Sequence, residues 1–145
     1  MKTRQAKAET LRTLCKDEVL IKDGPYGTMI QSYGLDEAGY RGDRFQTVNH
    51  DQKGNNDLLN LSRPEIIKEI AQSYVDAGAH VLATNTFNAN SISQSDYGME
   101  GVSADINRAA GQILRDVVDD AVRKNPSRPA FVVGRVAPTN HTLSV

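Results

Sequence analysis

Residues 80–84 read His-Val-Leu-Ala-Thr, and this short run decides how the chain folds. It shows almost no polar alternation, which is typical of strands that are buried on both faces in parallel sheets. The preceding residues predict a helix, because Ser62-Arg63-Pro64-Glu65 matches a capping box and apolar residues recur at helical spacing over 66–75. Gly78 then supplies the helix stop. The run at 80–84 is therefore the strand that follows an amphipathic helix.

Further elements extend this pattern in both directions. Periodicity and turn signals predict a helix over 4–16, a strand over 19–21, a short helix near 28–33, a helix over 103–124 and a strand over 131–133. Short apolar strands that alternate with helices predict an α/β fold with parallel βα units. Within it, residues 41–61 are predicted to be a long irregular loop, and such loops are more often functional or mobile than decorative.

Composition excludes several classes of function. The chain has 145 residues, 17 Lys plus Arg and 18 Asp plus Glu, so its formal charge is −1. Without a concentrated basic face, binding to nucleic acid or to a membrane surface is not expected. No apolar run is long enough to span a membrane or to form a signal-peptide core, and we expect a cytoplasmic protein.

The metal-binding and thiol chemistry of the sequence is sparse. The single cysteine, Cys15, cannot form an internal disulfide, and its position near Leu11 and Leu14 predicts a buried small hydrophobe. The three histidines lack the spacing of a metal motif. No nucleophile elbow, dinucleotide fingerprint or phosphate loop is present either.

Candidate binding residues follow each predicted strand, where parallel α/β folds place their ligands. The three clusters are Asp23-Gly24-Pro25-Tyr26-Gly27-Thr28, Thr84-Asn85-Thr86-Phe87-Asn88 and Ala137-Pro138-Thr139-Asn140. Asp23 is their only carboxylate and suits an ammonium group, while backbone N–H groups near Gly27 and Thr28 suit a carboxylate. Together these groups predict a site for a small zwitterionic ligand.

The same residues also have purely structural interpretations. The glycine-rich turn is equally compatible with a tight strand-to-helix connection that binds no ligand. The side chains of residues 84–88 are equally compatible with capping of a strand end. For Gly54-Asn55-Asn56-Asp57, a loop that satisfies its own backbone is the favoured interpretation.

Several longer motifs carry a family resemblance over residues 19–140, nearly the whole chain. They are Asp23-Gly24-Pro25-Tyr26-Gly27-Thr28-Met29-Ile30-Gln31, Tyr40-Arg41-Gly42-Asp43-Arg44-Phe45, Lys53-Gly54-Asn55-Asn56-Asp57-Leu58-Leu59, Pro64-Glu65-Ile66-Ile67, Ala77-Gly78-Ala79, Thr84-Asn85-Thr86-Phe87-Asn88-Ala89 and Pro138-Thr139-Asn140. In this order they resemble the amino-terminal homocysteine-binding domain, a homocysteine S-methyltransferase domain, of cobalamin-dependent methionine synthase. The resemblance identifies residues 1–145 as a partial, truncated domain of this kind.

The resemblance implies a fold and an activity. The family domain is a (β/α)₈ TIM barrel, of which this chain would contain the first part, about three strands. In the family, zinc held by three cysteine thiolates binds the sulfur of homocysteine, and the thiolate takes the methyl group of methylcobalamin to give methionine. The substrate-binding residues would be Asp23, Gly24, Gly27, Thr28, Asn85, Thr86, Pro138 and Thr139.

The resemblance also implies what residues 1–145 lack. The zinc cysteines belong to later barrel strands, so no catalytic residue or metal ligand is assigned here. We expect neither zinc nor cobalamin on these residues alone, and we expect them to be inactive alone. The implied partners are homocysteine, the remaining half of the barrel, and the folate and cobalamin domains of the full enzyme. The alternative function is a non-catalytic remnant that binds a small amino acid and lacks the metal site.

Overall fold

The computed structural model describes residues 4–139. Its α-helices are α1 (Arg4–Asp17), α2 (Tyr26–Gln31), α3 (Glu37–Arg41), α4 (Leu59–Ser62), α5 (Pro64–Asp76), α6 (Ser91–Gln94) and α7 (Ser103–Lys124). Its strands are β1 (Val81–Ala83) and β2 (Phe131–Val133), and single 3₁₀ turns cover Asn56–Leu58, Ser95–Tyr97 and Glu100–Val102.

The sheet confirms the predicted parallel α/β arrangement. Strands β1 and β2 pair in parallel, with Leu82 opposite Val132, and α7 forms the crossover between them. Crossovers of this kind are required because parallel strands cannot be joined by a tight turn. The predicted helix over 103–124 and strand over 131–133 have the observed bounds, whereas β1 is shorter than the predicted run at 80–84.

The predicted strand over residues 19–21 is wrong as a strand. The segment runs beside β1, where the N–H of His80 donates to the Ile21 carbonyl at 2.7 Å, but a ladder pair forms only between Lys22 and Val81. Its outer side has no neighbour among residues 4–139, so Val19 stays 91% exposed and Ile21 55% exposed. The apolar composition of this segment is typical of a strand that has a strand on each side. With β1 as its neighbour on one side alone, the segment stays partly exposed.

The main core lies where α5 and α7 cover one face of the strands. Its fully buried members include Ile67, Ile70, Leu82, Leu114 and Val117. Burial of side chains of this size contributes about 1.5–3 kcal/mol each before the entropy cost of ordering. This layer holds the strands so that their carboxyl ends meet along one edge.

The start of α5 corrects the capping-box prediction. The helix does begin at Pro64, but its N-cap is Arg63 and no side chain caps it. Ser62 is the last residue of α4, and its hydroxyl donates to the Leu58 carbonyl. A serine already inside one helix cannot cap the next, whereas the stop at Gly78 is confirmed by its φ of +112°.

The predicted loop over residues 41–61 contains more helix than expected. Its end is helical, since the 3₁₀ turn Asn56–Leu58 leads into α4, and a short helix, α3, ends at its first residue, Arg41. The predicted helix near 28–33 is likewise displaced and lies at Tyr26–Gln31. Gly42 starts the remaining loop with a φ of +54°, and a Cβ there would lie 2.7 Å from the Ser62 carbonyl oxygen. Only glycine fits that close approach.

Helix α1 forms as predicted, but the expected burial of Cys15 is wrong, because this thiol is exposed. Leu11 and Leu14 are only half-buried, so the helix rests on the protein by a narrow stripe that does not extend to Cys15. Among residues 4–139, no helix is both long and apolar enough to cross a membrane.

Candidate functional site

Asp23 links the first segment to the sheet at the edge where the strands end. Its Oδ2 accepts the backbone N–H of Ala83 at 2.8 Å, and its Oδ1 accepts the ammonium of Lys22 at 2.7 Å. The Asp23 side chain has no exposed surface, whereas that of Lys22 is half-exposed. The buried carboxylate of Asp23 therefore already binds an ammonium group, that of the long and half-exposed Lys22 side chain.

Two threonines fix the end of β2 to the end of β1. The hydroxyls of Thr84 and Thr86 lie 2.7 Å apart. Thr84 Oγ1 accepts the N–H of Arg135 at 3.0 Å, and Thr86 Oγ1 donates to the Arg135 carbonyl at 3.1 Å. The N–H and the carbonyl of Arg135 are thus both bound by threonines of the second candidate binding cluster.

Asparagines connect the same edge to the loop before α4. Asn85 Nδ2 donates to the Asn56 carbonyl at 2.8 Å, and Asn60 Nδ2 donates to the carbonyls of Asp57 and Asn85, both at 2.7 Å. The N–H of Asn88 donates to Asp57 Oδ1 at 2.9 Å. Residues 84–88 therefore make the structural bonds that their capping interpretation requires, and they do so at the edge that also carries Asp23.

Asp57 is a buried carboxylate whose charge is not balanced by an ion pair within the described chain. Burial raises its pKa to about 6, although the N–H of Asn88 and the positive charge of Arg135 oppose that rise. A buried carboxyl group with a strongly raised pKa, in contact with the residues that follow β1, is a candidate functional group.

The other predicted ligand residues occupy varied environments. Gly24 lies against the Tyr74 ring, and a Cβ on it would come within 2.9 Å of the Tyr74 hydroxyl. Gly27 lies beside Asn56, so the glycine-rich turn contacts the asparagine group, whereas Thr28 is exposed. Pro138 is exposed and Thr139 is half-buried at the end of the described chain, and Asn140 lies outside the described residues.

Tyr26 presents an unpaired hydroxyl beside these groups. The residue is 2% exposed, and its hydroxyl is buried with no hydrogen-bond partner in the described structure. Burial, followed by the negative charge of Asp23, raises the pKa of Tyr26 far above its ordinary value, while the positive charge of Arg135 acts in the opposite direction. Asp23 and Arg135 therefore both lie within electrostatic range of this hydroxyl.

Sequence reasoning did not assign Tyr26, Asp57 or Arg135 to the site. Tyr26 stands inside a quoted cluster, but a ring at the start of a helix is usually core. Asp57 belongs to a tract interpreted as a self-satisfied loop. Arg135 lies two residues after Val133, the last residue of β2. Strand alternation therefore places it on the same face as Phe131 and Val133, and this signal could have identified it.

Replacing Tyr26 with phenylalanine should raise the free energy of unfolding by about 1 kcal/mol, because it removes a buried polar group that has no partner. Tyr74 is the matched control, since its ring lies 5.9 Å from that of Tyr26 but its hydroxyl donates to the Pro25 carbonyl at 3.1 Å. Tyr74→Phe should lower the free energy of unfolding by a similar amount. Urea denaturation measures both, and a destabilised Tyr26→Phe variant would mean that this hydroxyl has a partner.

The candidate edge was also compared with the possible metal sites and with the main groove of the described residues. Within residues 4–139, no three His, Cys, Asp or Glu side chains come together in a way that could hold a metal ion. A groove of about 710 Å³ opens between α3 and the start of α5, and none of the predicted ligand residues lines it.

Comparison with solved structures places the fold. The chain is similar to the homocysteine methyltransferase MmuM from Escherichia coli in its oxidized form, with a TM-score of 0.68 and 21% identity over 88% of this chain and 40% of that one. The metallated form gives a TM-score of 0.66 and 20% identity over 88% and 41%. The apo form gives 0.62 and 20% over 92% and 42%. The chain thus spans about two fifths of the length of the proteins it matches.

A family-level comparison extends this likeness to sequence. The model of the homocysteine S-methyltransferase family matches residues 20–145, which include all three strand-end clusters. The match begins at the segment that carries Asp23 and continues through β2 and the residues that follow it. This chain therefore belongs to the homocysteine S-methyltransferase family.

Proposed function

We propose that this chain is the amino-terminal portion of an enzyme that transfers a methyl group to the thiol of homocysteine, giving methionine. The methyl donor would be methylcobalamin, as in the cobalamin-dependent methionine synthases that its motifs resemble. The observation that carries the proposal is the hydrogen bond from the Ala83 N–H to Asp23, which joins Asp23 to the end of β1. Both residues lie within the part of the chain that matches the family. This contact brings the first two candidate clusters to one edge.

The βα units would be the first part of an eight-stranded barrel. The exposed residues Val19 and Ile21 support this, because they are apolar strand-like residues on an edge that further strands would cover. So does the short length of the chain relative to the MmuM structures, of which it spans about two fifths. The remaining strands would come from outside residues 1–145.

In this proposal the described residues bind and orient the amino-acid end of homocysteine. Asp23 would take the ammonium group, in the position where it now takes that of Lys22. Backbone N–H groups near Gly27 and Thr28 would lie at the carboxylate. Asn85 and Thr86, with Pro138 and Thr139, would line the mouth of the site.

The residues of this chain do not fit the zinc site of the family. Cys15 is exposed on α1, and no group of three metal-ligating side chains is found in the part of the chain that the structure describes. Three thiolates would have to come from other residues. The described side chains are therefore assigned no step that involves zinc or cobalamin.

Calorimetric titration with homocysteine tests the proposal. The parent chain should give saturable heat at millimolar ligand or below, and Asp23→Asn should weaken binding about tenfold because it removes the charge that holds the ammonium. Asp43→Asn is the matched control, since Asp43 is exposed on the loop after α3 and should leave binding unchanged. Absence of heat from the parent chain at millimolar homocysteine would overturn the proposal.

A further inference from the structure

We propose that Arg135 binds the α-carboxylate of the amino-acid ligand together with the backbone N–H groups near Gly27 and Thr28, an inference that rests on the proposed function. Arg135 is not among the residues that the sequence motifs assign to the substrate. It adds a fixed positive charge to an edge where Asp23 supplies the negative one. An amino acid carries both charges, so the pair is complementary to a zwitterion in a way that Asp23 alone is not.

The backbone of Arg135 is positioned rather than loose. Its N–H donates to Thr84 Oγ1 at 3.0 Å and its carbonyl accepts from Thr86 Oγ1 at 3.1 Å, so both peptide groups are tied to the end of β1. The two threonine hydroxyls also contact each other at 2.7 Å. The side chain therefore starts from a fixed point at the strand ends, which reduces the entropy lost when it binds a ligand.

The guanidinium group of Arg135 has no carboxylate partner within the described chain. Among residues 4–139, none of the ion pairs or side-chain hydrogen bonds involves it. Its Cζ lies instead 5.9 Å from the ring centroid of Phe87, which is 51% exposed. An arginine that rests on an aromatic ring keeps its planar fork of donors available for a carboxylate, which it can bind through two parallel hydrogen bonds.

The buried hydroxyl of Tyr26 is a second observation at this edge, independent of the contacts of Arg135. It is buried without a hydrogen-bond partner, and it lies within electrostatic range of both Asp23 and Arg135. Buried polar atoms of folded proteins are almost always paired, so an orphan hydroxyl at the edge that carries both charges is available to a polar ligand group. A carboxylate held by Arg135 would provide an acceptor for it.

The test compares two ligands that differ only in the carboxylate. Homocysteine and 3-aminopropane-1-thiol share the thiol and the ammonium group, and the second lacks the carboxylate. Arg135→Gln should weaken homocysteine binding about tenfold and change binding of 3-aminopropane-1-thiol less than about twofold. Arg135→Lys, which keeps the charge but not the fork, should give an intermediate loss for homocysteine. Calorimetry gives the dissociation constant of each protein for each ligand.

The outcomes separate this inference from the proposed function. Arg123→Gln makes the same charge change on the exposed last turn of α7 and should affect neither ligand. If Arg135→Gln weakens both ligands equally, or neither, Arg135 does not bind the carboxylate, while the proposed function stands. If the parent chain binds no homocysteine, the proposed function and this inference both fall. Arg135→Lys decides the matter if Arg135→Gln does not fold, because equal affinity of the lysine variant and the parent would contradict bidentate binding.

Discussion

Replacing Arg41 with methionine should lower the free energy of opening of residues 42–53 by about 3 kcal/mol. The guanidinium donates to the carbonyl of Val48 and to a carboxylate oxygen of Glu37, each at 2.5 Å, and the side chain is only 15% exposed. Methionine keeps the apolar stem but leaves these acceptors without their donor. The N–H of Gln52, which donates to Glu37 at 2.8 Å, should then exchange with solvent about 100-fold faster.

Arg12→Met is the control for Arg41→Met. Arg12 pairs with Glu9, at 3.3 Å on an exposed face of α1, and such pairs contribute about 0–1 kcal/mol. Its loss should leave exchange in residues 42–53 unchanged. Unchanged exchange in Arg41→Met as well would show that the loop is held by other contacts.

This loop shows why part of the fold was not predictable from local sequence. Its order comes from a central arginine and from a buried amide group in which Asn55 bonds to Gln52 at 3.2 Å and to Gln94 at 3.0 Å. Gln94 lies 39 residues away from Asn55, and no local periodicity reports such a contact. The interpretation of residues 41–61 as irregular therefore missed a loop that is ordered by its polar side chains.

Elements with strong local signals were predictable. Helix α7 combines a long apolar stripe with a basic last turn, and β2 is an apolar run after a proline turn, so each is specified by its own residues. The segment over 19–21 has an equally apolar run, yet among the described residues the one bridge nearby is formed by the next residue, Lys22. A strand needs partners, and its second neighbour is not among residues 4–139.

The meeting of the candidate clusters at one edge was predictable from the sequence, whereas their hydrogen bonding was predictable only in part. The rule that ligands meet the carboxyl ends of parallel strands led to Asp23 and Thr86, which the structure brings to the same edge. That rule does not report which polar groups remain unpaired after folding. The orphan hydroxyl of Tyr26 and the unpaired charge of Arg135 emerge only from the full set of contacts.

Asp57 should make the free energy of unfolding depend on pH in a defined window. Its pKa is raised from the ordinary 3.8 to about 6, chiefly by burial. Between these values the folded chain binds more protons at Asp57 than the unfolded chain does, so the free energy of unfolding falls as pH rises. Below the window the carboxyl is neutral in both states, and above it the full cost of about 3 kcal/mol is present.

Asp57→Asn should therefore raise the free energy of unfolding by about 3 kcal/mol near pH 8 and by little near pH 4. The amide cannot ionise, yet it keeps an oxygen that can accept the N–H of Asn88. Urea denaturation across this pH range measures the effect, and Asp43→Asn, a change at an exposed carboxylate, should leave the parent profile unchanged. If Asp57→Asn and the parent lose stability in parallel as pH rises, burial does not penalise the Asp57 charge. If Asp57→Asn instead removes the fall in the free energy of unfolding between pH 4 and pH 8, the ionised Asp57 destabilises the fold. A destabilising carboxylate at the edge that holds Asp23 and Arg135 favours a role in binding over a role in packing.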